Sequence, residues 1–244
     1  MGEQEKNLHE KRRERMRTRV MDQGMESLLD HELLEYILYY AIPRGDTNPI
    51  AHRLLAEFQT VAGVFEADYH QLLQVEGIGP KAAGLLITYG PALKRYSLSK
   101  MGDRPKLNTR ERAVEYARGL YIGATKEILY LLCLDVQCNL KRAVVLHEGT
   151  VDQAVLVPRT LLEEAIRHGA KNCILAHNHL SNSALPSNQD IQTTRTVLTA
   201  LTTIDVNLLD HIIISNNGYF SFVGNDLLQK GQGGAVEYAA DMEQ

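Results

Sequence analysis

The sequence predicts two domains of different class: a small all-helical domain, then an α/β sandwich built on a mixed sheet. Apolar residues recur at helical spacing through residues 1–100. A polar stretch containing Gly and Pro, "SLSKMGDRPKLNTR", then breaks that pattern. Beyond it, apolar runs of strand length alternate with helical ones. The expected organisation is a helical domain over 1–100, a linker over 101–110, an α/β domain over 111–225 and a flexible tail over 226–244, which is polar and ends acidic.

Taken in order, "KRRERMRTR" (11–19) is a basic run that suits either a solvated helix face or a phosphate-contacting arm. The stretch "ESLLDHELLEYILYYAI" has apolar residues at helical spacing, and further helices are expected at "NPIAHRLLAEFQ", "YHQLLQV" and within "VEGIGPKAAGLLITYGPALKRY". In the second half "ERAVEYARGL" reads as a helix, "EILYLLCLDV" as a buried strand and "LKRAVVLHEGT" as its hairpin partner. Pro158 suits the first turn of a helix over "PRTLLEEAIRHGA". A strand "NCILAH", a helix in "SNQDIQTTRTVLTALTTI" and a strand pair "LLDHIIIS" and "YFSFVG" around "NNG" complete the pattern.

Bulk properties narrow the class only slightly. A formal charge of −4 argues against coating nucleic acid by net charge alone. Cys133, Cys138 and Cys173 are odd in number and form no CxxC, which disfavours a disulfide framework and suits a reducing, cytoplasmic setting. No apolar run reaches the roughly 18 residues a membrane span needs, so no membrane association is expected.

The chemistry concentrates in "ILAHNHLSNSALPSNQDI" (174–191). Alternate residues of a strand share a face, so His177 and His179 can present both imidazoles to one point. Ser187 and Asp190 form an SxxD pattern, which by itself reads as a capped helix start. Together with the histidines, Asp190 makes a third ligand for tetrahedral Zn²⁺ and leaves a fourth position for water, as a catalytic site requires.

This arrangement, HxH, seven residues, then SxxD, resembles the JAMM motif of MPN (JAB1-type) metalloproteases. The longer likeness, over nearly the whole chain, is to the bacterial RadC family, carried by "ILAHNH", "LLDHIII" and the helical first half. The resemblance implies an MPN sandwich with zinc held by His177, His179 and Asp190, an oxyanion-stabilising role for Ser187 and an upstream glutamate as proton carrier. Glu127, opening the first strand after the first helix of this domain, matches that place better than Glu148 in "HEGT". The implied function is a Zn-dependent JAMM-type hydrolase of an amide or isopeptide bond in a protein or peptide substrate, with Glu127 activating the water.

Some features depart from the motif or lie beside it. RadC sequences usually read HNHPSG where this chain has Leu180 and Asn182, and MPN peptidases commonly carry Ser or Thr at the place of Asn178. His147 reads as a surface residue or as one lining the cleft, and Glu163, Glu164 and His168 as a solvated helix face. Asp210 and His211 read either as a pair that orients a ligand histidine or as structural residues heading an internal strand.

In the first half, "VEGIGPKAAG" resembles a helix-hairpin-helix element. Gly77 and Gly79 permit a tight turn with exposed amides, and Lys81 adds charge. That implies weak, sequence-independent DNA contact and a second reading of the whole chain: a nucleic-acid-binding DNA-repair accessory factor whose MPN domain is a metal-binding or inactive scaffold.

Overall fold

A computed structural model describes residues 3–149 and 158–228. The chain forms two compact units, Met1–Leu93 and Lys94–Gln244, dividing within a helix ahead of the polar stretch that follows Ser99. Beyond Leu228, the tail expected from residue 226 lies outside the described residues. Among the described residues, no helix is long and apolar enough to cross a membrane.

The first unit is helical, as its periodicity predicts: α1 Glu3–Gln23, α2 Asp30–Ala41, α3 Asn48–Phe58, α4 Val61–Glu66, α5 Tyr69–Gln74, α6 Pro80–Leu86 and the start of α7 Tyr89–Ser99. Local chemistry sets the helix starts. Thr60 accepts the Gly63 N–H, Asp68 accepts that of His70, and proline sits in the first turns of α3 and α6. Leu34, Leu38, Leu54, Val64, Leu72 and Leu86 form the core.

Half of the basic run of α1 is structural and half is a solvated face. Arg12 forms two 2.8 Å bonds to the buried carboxylate of Glu35. Arg13 donates to the carbonyls of Ile42 and Gly45 and lies over the Tyr39 ring. Arg19 pairs with Glu32. These cations therefore fasten α1 to α2 and its following loop, while Lys11, Arg15 and Arg17 remain exposed.

In the second unit, α8 Arg110–Tyr121 precedes a sheet that, among the described residues, has five strands ordered β2-β1-β3-β4-β5. The strands are β1 Ile128–Leu134, β2 Leu140–Glu148, β3 Asn172–Asn178, β4 Asn207–Ser215 and β5 Gly218–Ser221. The β3–β4 pair is parallel and the others antiparallel, which makes the expected mixed sheet. The period-two alternation then sorts the side chains into two cores. Tyr130, Leu132, Ile174, Ala176 and Ile212 pack with α8 on one face. Leu131, Cys133, Cys173, Leu175 and Ile213 pack with α9 Pro158–Arg167 and α10 Asn188–Thr202 on the other. His177 continues the second set, so it emerges beside the start of α10.

Glu35 gives the helical unit a pH signature. Burial pushes its carboxyl up, but hydrogen bonds from Arg12, Tyr39 and Asn48 outweigh that and hold it below its ordinary value. A depressed folded pKa contributes stability that is present above the unfolded value of about 4.3 and lost as pH falls through the folded value. Glu35→Ala leaves the Tyr39 hydroxyl and the Asn48 carboxamide without their acceptor and frees the half-exposed Arg12, so chemical denaturation followed by circular dichroism should show a loss of about 1–3 kcal/mol at neutral pH. The difference between variant and parent should shrink in acid.

Candidate metal centre

The β1–β3 register decides which side chains meet. Leu129 lies opposite His177, so extending the antiparallel pairing one step past each strand end sets Glu127 opposite His179, on the same face. Ile128 pairs with Glu148, so Glu148 points to the other face, where it pairs with Lys126 at 3.5 Å. Of the two glutamates named from the sequence, only Glu127 shares the histidine face. His147 pairs with Leu129 and lies on that face too, one strand further out.

Asp190 arrives from the other side, at the third position of α10. Its Oδ2 accepts the Ser187 N–H and hydroxyl, each at 2.7 Å, while its Oδ1 stands 3.2 Å from His177 Nε2. The SxxD pattern is thus a helix cap and part of the cluster at once: Oδ1 faces His177, and Oδ2 serves the cap while also lying on the His179 side. The single Ser187 proton lies on Asp190, so donation to an oxyanion would require the hydroxyl to turn away.

His177 Nε2, His179 Nε2 and the Asp190 carboxylate converge. The two nitrogens are 2.9 Å apart, and His179 Nε2 is 3.5 Å from Asp190 Oδ2. A tetrahedral ion with ligands at about 2.0–2.1 Å sets them about 3.3 Å from one another. These separations, the two carboxylate ones made to different oxygens, lie near that value, and His177, His179 and Asp190 form a metal-competent group among the described residues.

Hydrogen bonding fixes which lone pairs face the centre. Thr194 Oγ1 donates to the Asp190 carbonyl at 2.6 Å, one helical turn back, and has no second proton. His211 Nδ1, 2.6 Å away, must therefore donate to Thr194, leaving His211 Nε2 to accept from His177 Nδ1 at 2.8 Å. His177 Nε2 is then a bare lone pair. His179 Nδ1 donates to the Ser183 carbonyl at 3.1 Å, which directs its Nε2 inward likewise.

Charge follows from this frame. Burial lowers His177 to about 4 and His211 well below the usual imidazole range, so both are neutral at pH 7. Burial pushes Asp190 up, but hydrogen bonds from His179 and Ser187 outweigh that and hold it low and ionised. His179 is raised, first by its bond to Asp190, with Glu127 adding to the pull. Three acceptors around one point call for a single positive charge there, which either a proton on His179 or a cation supplies.

Several of these parts lay outside the sequence reading. His211 does support His177, by a direct bond, and is itself held by Thr194; Asp210 instead accepts from Ser221, Val223 and the His211 backbone and anchors the turn after β5. For Thr194 the one sequence signal is its i+4 spacing from Asp190. The loop from Leu180 lacks the family's proline and glycine, yet Ser181 and Ser183 brace it internally and Ser215 bonds the Asn182 carbonyl.

Gly77, Gly79 and Lys81 belong to the first unit. Gly77 has φ +95°, and a Cβ there would meet Ile50 at 2.7 Å, so glycine is required for the turn between α5 and α6. Gly79 is open, but neighbouring Glu76 already pairs with Arg53.

Comparison with known proteins agrees with this architecture. A family described as a RadC-like JAB domain matches residues 107–227, and one described as UPF0758 N-terminal matches residues 8–84. A UPF0758 protein of Fusobacterium nucleatum subsp. nucleatum is 31% identical over 236 residues, covering 93% of this chain and 100% of that protein.

The relay from Thr194 to His177 predicts a measurable effect. Thr194→Val leaves His211 Nδ1–H buried without its acceptor, at a cost of about 1–3 kcal/mol. Isothermal titration should also show zinc affinity reduced about 10- to 100-fold, the usual consequence of losing a group that orients a ligand histidine. Unchanged affinity would mean the tautomer is fixed some other way.

Proposed function

Because the chain belongs to the UPF0758 family and carries a RadC-like JAB domain, we propose that its second unit is a zinc-dependent hydrolase of an amide or isopeptide bond. The carrying observation is the convergence of His177, His179 and Asp190 with their lone pairs inward, beside an acid on the same sheet face.

Those three side chains would hold the ion. Bound there, zinc polarises a carbonyl and brings the pKa of water to near neutrality. Glu127 accepts the proton of the attacking water and returns it to the leaving nitrogen, which avoids expelling an amide anion. His211 and Thr194 keep His177 in its ligating tautomer, and Ser187 orients the Asp190 carboxylate. In this reading Ser187 meets an oxyanion only by giving up its bond to Asp190. A peptide amide or an isopeptide-linked side chain is the substrate class that this chemistry fits. Phosphate contact by the Gly77–Gly79 hairpin is a separate proposal and takes no part in the chemistry.

Purified protein is expected to hold one zinc per chain by elemental mass spectrometry, and to lose it when His177→Ala and Asp190→Ala are combined. Glu127→Gln should keep the zinc while turnover of a fluorogenic peptide pool falls by about 10²–10⁴. Folded protein that takes up no zinc in metal-replete buffer defeats the reading.

A further inference from the structure

Asn178 stands between the two histidines and points away from them. Strand alternation turns its side chain toward the α8 face, and it is buried. There its carboxamide reaches across to the chain entering β1. Asn178 Oδ1 accepts the Ile128 N–H at 2.8 Å, and Nδ2 donates to the Lys126 carbonyl at 3.0 Å. The two bonds fall on the peptide groups either side of Glu127. From the β2 side, the Gly149 N–H donates to the Glu127 carbonyl itself at 2.9 Å.

A carboxamide has the donor and acceptor of a peptide group, so Asn178 prolongs the β1–β3 ladder beyond its last backbone pair. A serine or threonine there has one hydroxyl proton and a shorter reach. An aspartate has no donor and would set its charge against the Lys126 carbonyl. Glu127 lies outside β1, where an entering segment is ordinarily free to fray, yet its backbone is held at three points. We infer that Asn178 is a positioning residue: it clamps residues 126–128 so that the Glu127 carboxylate stays on the His177–His179 face.

The inference rests on the hydrolase reading, with Glu127 as proton carrier, and adds to it a residue that touches neither metal nor substrate. It also gives the asparagine a positive role at a position where the JAMM pattern commonly has a hydroxyl residue.

The test is a double-mutant cycle on the full-length, zinc-loaded protein, using p-nitrophenyl acetate, an activated ester that asks only for water attack on a carbonyl. Asn178→Ala should keep its zinc and lose about tenfold in kcat, equivalent to about 1.4 kcal/mol, with KM little changed. In a Glu127→Gln background the same substitution should cost nothing further, because it acts through Glu127. Asn178→Ser, which keeps a hydroxyl, should fall between and guards against a variant that merely unfolds. Equal losses in both backgrounds, or no loss in either, overturn the inference. A parent enzyme that binds zinc but leaves the ester intact counts against the hydrolase reading instead. Amide hydrogen exchange then decides the clamp: Asn178→Ala should speed exchange at Ile128 and Gly149 about tenfold or more while β4 stays protected, and unchanged exchange overturns it.

Discussion

The second unit depends on one constraint: three acceptor groups must be held around a point with no proton of their own between them. Such an arrangement is costly in a buried place unless positive charge arrives or the groups are forcibly oriented. Here the orientation is built in. The helical bond from Thr194 to the Asp190 carbonyl uses the only hydroxyl proton, and that single choice propagates through His211 to the outer nitrogen of His177. The relay starts and ends at the same centre, because Asp190 supplies both the carbonyl that begins it and the carboxylate that faces His177.

The sheet supplies the remaining precision. Antiparallel pairing of β1 with β3 sets Glu127 against His179, while parallel pairing of β3 with β4 brings His211 diagonally beneath His177. A register irregularity between Cys173 and Ile174 adjusts this last relation by letting β4 spend one extra residue, so that His211 shares the face of Leu175. α10 then closes the group with a capping serine that also restrains the ligand carboxylate. Each element does its ordinary structural work in a way that leaves one polar atom aimed inward.

How much of this was legible follows from where the information lies. The mixed α/β sandwich, the HxH pair, Asp190 and the strand-opening place of Glu127 are local patterns, carried by periodicity and short spacing. Glu127 was preferred to Glu148 by its place ahead of the first strand, whereas their pointing to opposite faces is set by the register, since a shift of one residue exchanges the faces. The Thr194–His211–His177 relay joins three segments that meet only through β3–β4 pairing and helix packing, and no linear spacing announces it. Asn178 was visible only as a departure from a motif; its two backbone partners lie some fifty residues upstream in sequence. In the helical unit the basic run had two local readings, solvated face or phosphate arm, and the structural use of half of it, fastening α1 around the buried Glu35, depends on a carboxylate a helix away.

X-ray absorption at the zinc edge, on protein loaded with one equivalent of zinc, examines the central constraint most directly. The account predicts a first shell of nitrogen and oxygen only, at about 2.0–2.1 Å, with imidazole scattering from two histidines and no sulfur. A sulfur shell near about 2.3 Å, which would place the ion at the buried cysteines, or a spectrum without imidazole features, would contradict it.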